Sequence, residues 1–282
     1  MTQIYPEITS DNLVISINAL SKNGLTPLIS KNLPDLHFNG DAQCFPLYWY
    51  EENKHQEATL FGDGTDDKFI RHDGITDWIL KEFRQRFPGS KNLTKEHIFY
   101  YVYGILHSPE YKERFADDLR KSLPRLPIVE TVNELMDFYN AGKALADLHL
   151  NYESVEPCKD VKIVCDQAID NSNYELFEVE KMRFSKNGKD NDKSVIIYNG
   201  HIRLENIPEK AYEYVVNGKS AIEWIMERYA VTIDKASLIK NDPNDWSREH
   251  NKPRYILDLM LSVINLSVKT IEIVDGLPKL TF

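Results

Sequence analysis

The sequence predicts an α+β fold: a helical middle flanked by short antiparallel β regions, with a C-terminal helical segment. Three patterns carry that expectation. Short apolar runs separated by turn residues fill positions 1–61, capped stretches with apolar residues at helical spacing fill 76–149, and two-residue alternation returns over 162–206. A long apolar run at helical spacing, 254–274, supplies the final helix.

In the first region the runs 13–17 and 45–50 read as strands, with turn chemistry at Asn23-Gly24 and Asn39-Gly40-Asp41. The polar, glycine-containing stretch 61–68 reads as a loop leading into helices. Thr76 is placed to cap a helix that Pro88-Gly89 stops near Phe87. Thr94 caps the next, with Ile98, Val102, Ile105 and Leu106 on its inner side, and Ser108-Pro109 starts a third carrying Tyr111, Phe115 and Leu119. Pro124 and Pro127 force an extended exit, and Thr131-Val-Asn-Glu134 forms a capping box for a helix through His149.

Short strands follow over 162–165, 176–184, 194–198 and 202–206, the second and third joined as a hairpin through a long basic tip, 185–193. Pro208 introduces a helical stretch to about Val216, and Asn217-Gly218 turns the chain. Ser220-Ala-Ile-Glu223 caps a helix to Tyr229, and 241–253 reads as a polar loop before the last helix.

Of the 282 residues 42% are hydrophobic, enough for a real core in one large domain or two modest ones. Two subdomains are expected: 1–155, strands plus a helical bundle, and 156–282, a β-hairpin region plus C-terminal helices. No apolar run reaches membrane-spanning length and the first residues lack a secretory pattern, so a cytoplasmic location is the default. Cys44, Cys158 and Cys165 form no Cys-x-x-Cys pair, which argues against disulfides and structural zinc. The net charge of −10 opposes phosphate binding, which ordinarily leaves a basic footprint.

Most catalytic signatures fail on inspection. Gly218-Lys219-Ser220 resembles the end of a phosphate loop, but the required first glycine is Glu213, so a turn before a capped helix is the better reading. No dinucleotide fingerprint, His-Glu-x-x-His, Gly-x-Ser-x-Gly or Asn/Asp-Pro-Pro-Tyr/Phe methyltransferase motif occurs. Asp35 with Glu52 and Lys54 superficially matches a PD-(D/E)xK nuclease, in which two carboxylates hold magnesium, but that spacing is permissive. The scattered histidines suggest no general base, and Tyr100, Tyr101 and Tyr103 suit a core better than base stacking.

The basic hairpin survives this weighing. Over 181–203 six basic residues, Lys181, Arg183, Lys186, Lys189, Lys193 and Arg203, face only Asp190 and Asp192. Such a local excess suits phosphate, and Asn187, Asn191 and His201 add groups able to read base edges. An ordinary solvated hairpin explains the same charges equally well.

Several stretches together resemble the C-terminal target-recognition region of Type ISP restriction-modification enzymes. They include Pro34-Asp-Leu-His-Phe, Cys44-Phe-Pro-Leu-Tyr, Ile75-Thr-Asp-Trp, residues 101–127, Ala146-Asp-Leu-His-Leu-Asn-Tyr152, Val179-Glu-Lys-Met-Arg-Phe, residues 212–229 and Asn241-Asp-Pro-Asn-Asp-Trp246. The resemblance implies a non-catalytic domain that reads double-stranded DNA and positions the target for methylation or cleavage by other domains. Those partners would be methyltransferase and helicase-like domains of the same enzyme, using S-adenosylmethionine, ATP and magnesium, with no cofactor in this chain. The DNA-contacting set would be Lys181, Arg183, Lys186, Asn187, Lys189, Lys193, His201 and Arg203. A scaffold that docks the other domains, or a nuclease built on Asp35, Glu52 and Lys54, are the alternatives.

Overall fold

The computed structural model describes residues 3–7, 10–18, 24–34, 42–53 and 68–282. The turn at 39–41, Asn23 of the first turn and most of the loop at 61–68 lie outside them. Two units form: Met1–Leu150 together with Gly276–Phe282, and Asn151–Asp275.

In the first unit β1 (Val14–Ile17) runs antiparallel between β2 (Pro27–Ser30) and β3 (Gln43–Pro46), with Ile15 opposite Ile29 and Phe45. All four residues of β1 are buried, as a central strand requires. The run 45–50 is not one strand. It breaks at Leu47, whose N–H donates to the Leu13 carbonyl and whose own carbonyl accepts from Gly74 N–H, both at 2.7 Å. Beyond that break β4 (Tyr48–Glu52) pairs with β5 (Phe69–Asp73) in a separate ribbon.

The helices begin where their caps predict. Thr76 accepts from Ile79 N–H at the start of α1 (Asp77–Arg86), Thr94 caps α2 (Lys95–His107), and Ser108 caps α3 (Pro109–Arg114). The expected continuation to Leu119 is interrupted at Phe115, which leaves helical geometry and packs against Tyr111 and Phe282; a short α4 (Ala116–Leu119) follows. Thr131 and Glu134 form the expected capping box of α5 (Val132–Leu150). Helices α2 and α5 approach until backbone nearly meets backbone: a Cβ on Gly142 would lie 1.9 Å from the Tyr100 carbonyl oxygen. Tyr100, Tyr101 and Tyr103 are buried. The Tyr101 hydroxyl donates to the Pro127 carbonyl (2.8 Å) and accepts from Val129 N–H (3.2 Å), while the Tyr111 hydroxyl donates to the Arg125 carbonyl (2.9 Å). The aromatic corner therefore pins the proline-bounded exit.

The second unit is built on an antiparallel sheet ordered β6-β9-β8-β7: β6 (Lys162–Cys165), β7 (Arg183–Asn187), β8 (Asp190–Ile197) and β9 (Ile202–Glu205). Its inner face carries Ile196 and Leu204, which share one hydrophobic cluster with Leu257, Met260 and Ile264 of a long helix, α9 below. Two expectations fail here. Residues 176–184 are not one strand, because Asn173 caps a short helix, α6 (Tyr174–Phe177), and Val179 finds its partners elsewhere. The buried Asn244 side chain accepts from Val179 N–H and donates to the Val179 carbonyl, both at 2.9 Å, replacing a neighbouring strand. Nor is 185–193 a long tip. The hairpin closes at Gly188-Lys189, with Gly188 at φ +63°, and a bulge on β8 displaces Lys193, Ser194 and Val195 from the ladder.

After β9 the chain makes a 3₁₀ turn (Glu209–Tyr212) where a longer helical stretch was expected. A small hairpin follows, β10 (Val215–Val216) with β11 (Lys219–Ser220), turning at Asn217-Gly218. Ser220 and Glu223 then cap α7 (Ala221–Arg228). A second ribbon, β12 (Thr232–Ile233) with β13 (Lys240–Asn241), precedes α8 (Asn244–Glu249), which occupies the expected loop 241–253. The long α9 (Tyr255–Asp275) ends this unit.

Candidate nucleic-acid interface

Pairing in the four-stranded sheet fixes which side chains share a face, because directly opposite residues point the same way. One row reads Phe184, Ile196, Leu204 and Ile163 and packs inward; the next reads Arg183, Ile197, Arg203 and Val164 and points outward. By the same parity Lys162 and Glu205 lie on the outer face, and His201 meets Asp166 there with Nδ1 3.1 Å from a carboxylate oxygen. Arg183, 18 residues before His201 in the sequence, thus shares one solvent-facing surface with His201 and Arg203.

The basic residues of the hairpin fall into two kinds. Lys181, Arg183 and Lys189 are exposed and make no ion pair among the described residues. The others are engaged: Arg203 Nε lies 2.6 Å from Glu205, and Lys186 Nζ donates to Asn191 Oδ1 at 2.6 Å. Lys193 Nζ sits 3.2 Å from Glu223 and 5.0 Å above the Tyr212 ring. Exposed pairs of this type contribute about 0–1 kcal/mol, so an arriving phosphate can exchange for the carboxylate at small cost. Lys193 is the exception in position, since the bulge turns it toward Phe184 and Tyr212 on the inner side. Asn187 is exposed beside the turn, opposite Asp190.

Beside the outer face opens a concavity of about 810 Å³, lined among others by Glu180, Lys181, Arg183, Asn199, His201, Lys240 and Asp242. Asn199 is committed to structure: its amide donates to the Leu176 and Glu178 carbonyls, and its oxygen accepts from His201 and Ile202 N–H. It orients His201. Sequence reasoning missed Lys162, Glu180 and Lys240. The alternation Ile202-Arg203-Leu204-Glu205 was a signal for the outer face, but strand order was needed to bring Lys162 beside it.

Asp35 and Lys54 of the nuclease-like pattern lie outside the described residues, and Glu52 is an exposed residue ending β4 opposite Phe69. Among the described residues no group of three or more His, Cys, Asp or Glu side chains is arranged to hold a metal ion. No helix among them is long and apolar enough to cross a membrane.

Solved structures similar to this chain include complexes with DNA or a DNA mimic. The ATP-dependent Type ISP restriction-modification enzyme LlaBIII bound to DNA matches all of this chain at 38% identity with a TM-score of 0.82, over 17% of its own length. A nuclease-deletion mutant of the Type ISP restriction-modification enzyme LlaGI, in complex with a DNA substrate mimic, matches all of it at 37% identity and TM-score 0.76, over 22% of its length. A DrdV–DNA complex matches at 28% identity and TM-score 0.78, over 26% of its length. The chain therefore spans about a quarter or less of each of these proteins. No curated protein sequence matches it. The family model of the Type ISP C-terminal specificity domain matches residues 1–259, and this chain belongs to that family.

Proposed function

We propose that this chain reads a specific sequence in double-stranded DNA and positions it for methylation or cleavage carried out by other domains of a restriction-modification enzyme. The observation that carries this reading is the outward row Arg183, Ile197, Arg203 with His201 beside it, on the sheet face opposite the core. Arg183 and Arg203 stand two strands apart, roughly 10 Å, so both can address one major groove about 12 Å wide. Lys181 and Lys189 supply phosphate contacts at the margins, while Arg183, Arg203, His201 and Asn187 supply donors and acceptors for base edges. S-adenosylmethionine, ATP and magnesium belong, on this reading, to the methyltransferase and helicase-like domains. Extruding an adenine and transferring a methyl group belong to those domains as well. The net charge of −10 fits a division of labour in which those domains supply most phosphate contacts.

Charge reversal tests the reading. The triple variant Lys181→Glu, Arg183→Glu, Lys189→Glu removes three exposed cations that no ion pair holds among the described residues, so folding is expected to be unchanged. Titrating a labelled duplex at several salt concentrations should show weak binding by the wild-type chain with a log–log slope of about −2, from the two phosphate contacts, and a slope near zero for the variant. Equal affinity and slope for both would move DNA contact off this face.

A scaffold reading has its own observation. The first unit carries a largely apolar cavity of about 520 Å³ bordered by Phe45, Trp49, Ile75, Val102 and Leu126, which suits an inserted apolar side chain. It concerns the other unit and does not compete for the outer sheet face.

A further inference from the structure

The ribbon of β12 and β13 ends in a loop whose apolar side chains stand in water: Leu238 is 76% exposed, Ile239 68% and Ile233 61%. The loop is nevertheless held in one shape. Asp234 Oδ1 accepts from the N–H groups of Ala236 (3.1 Å) and Ser237 (2.7 Å) and from the Ser237 hydroxyl (2.8 Å), and Leu238 N–H donates to the Asp234 carbonyl (2.9 Å). Leu238 sits at φ +59°, a conformation unfavourable for a side chain of its size, so the surrounding bonds hold it against a backbone preference. An apolar projection, closed by its own hydrogen bonds, is left uncovered by the rest of its unit.

Three features say what covers it. Both strands of the ribbon rise from the concavity beside the outer sheet face, which Val231, Lys240 and Asp242 line together with Arg183 and His201. Lys235 and Lys240 bracket Leu238 and Ile239, Lys240 through an exposed ion pair with Asp242 (2.8 Å) that a phosphate can replace, so cations flank the group that enters a polyanion. The projection is narrow, three large side chains at a ribbon tip, whereas protein-docking patches are broad with charge depleted at their centre. Narrow apolar wedges of this kind separate stacked base pairs and bend the duplex.

We propose that the tip formed by Ile233, Leu238 and Ile239 inserts between base pairs at the edge of the bound sequence and kinks the duplex there. This rests on the DNA-recognition reading above and adds a deformation step to it. Wedge insertion makes the flexibility of a flanking step part of the recognised sequence, even where no polar side chain touches it.

The test uses the chain itself and a duplex enriched by the wild-type chain from a randomised duplex pool. That duplex carries 2-aminopurine at successive positions and an end-to-end energy-transfer pair. Wild type is expected to brighten 2-aminopurine at one step and to shorten the end-to-end distance. The double variant Leu238→Ser, Ile239→Ser should abolish both signals and weaken binding on the order of tenfold, while Leu238→Met retains them. Leu238→Gly, which suits the positive φ, should reproduce the loss at an unchanged or raised melting temperature, separating wedge from fold. A serine variant that binds equally, with both optical signals intact, overturns the wedge and assigns the tip to a protein partner while DNA recognition stands. A wild-type chain that enriches no motif overturns both.

Discussion

His107 is buried and His149 half-buried, with Tyr103 between them: the Tyr103 hydroxyl lies 2.7 Å from His149 Nδ1, and His107 Nδ1–H donates to the Tyr103 carbonyl at 2.9 Å. His107 Nε2 is buried with no hydrogen bond among the described residues, so protonating it would place an unpaired cation in the core. Burial pushes His149 down to about 4 and His107 well below its ordinary value of 6.5. Both rings are therefore neutral, folded or unfolded, above about pH 6.5. As pH falls below that value the unfolded chain takes up protons that the folded chain refuses, so stability falls toward pH 4. Thermal melts should show the first unit losing about 1–2 kcal/mol through His149 between pH 7 and pH 5, with His107 adding to the loss in the same direction. A melting temperature flat over that range would contradict the neutral assignment. At this scale the sequence was silent on partners. Lys193 looked like a free cation because Glu223, which holds it, lies 30 residues downstream.

Among the elements, the helices with side-chain caps read from the sequence were legible, whereas α6, α8 and the strand pairing were not. Helix starts are written in contiguous residues: Thr76, Thr94, Ser108, Thr131 and Ser220 each cap the helix they announce. Strand pairing is a long-range property. The apolar residues of 176–184 suggested alternation, yet the partner of Val179 is a side chain on α8, 65 residues away. The tip 185–193 looked like loop because charged residues fill it, whereas Gly188-Lys189 allows the two strands to close tightly around them. The α2–α5 crossing was likewise hidden, since nothing local marks Gly104 and Gly142 as the points where the two backbones meet. Gly142→Ala should cost about 3 kcal/mol or more, because the methyl group meets backbone oxygen, which cannot swing aside. Chemical denaturation would show this as a lower midpoint at similar slope; an unchanged midpoint would mean the helices have room to separate.

For the molecule as a whole, composition and surface point in opposite directions until charge is assigned to faces. A net charge of −10 describes the chain, while on one sheet face and its margin Lys162, Lys181, Arg183 and Arg203 stand against Glu205 and Asp166, so this face escapes the acidic excess of the rest. Family membership was legible from ordered motifs along the chain, and the family model covers residues 1–259. The proposed reading surface was legible only in part. Arg183, His201 and Arg203 were named from local charge, but their convergence depends on strand order, which no local pattern encodes. The most direct measurement is enrichment from a randomised duplex pool at low ionic strength, comparing wild type with Arg183→Glu, Arg203→Glu. The account predicts that wild type enriches one sequence motif and that the double variant loses it while keeping the wild-type melting temperature. Enrichment of the same motif by the variant would contradict the assignment of this face, and enrichment of none by wild type would contradict sequence reading by this chain.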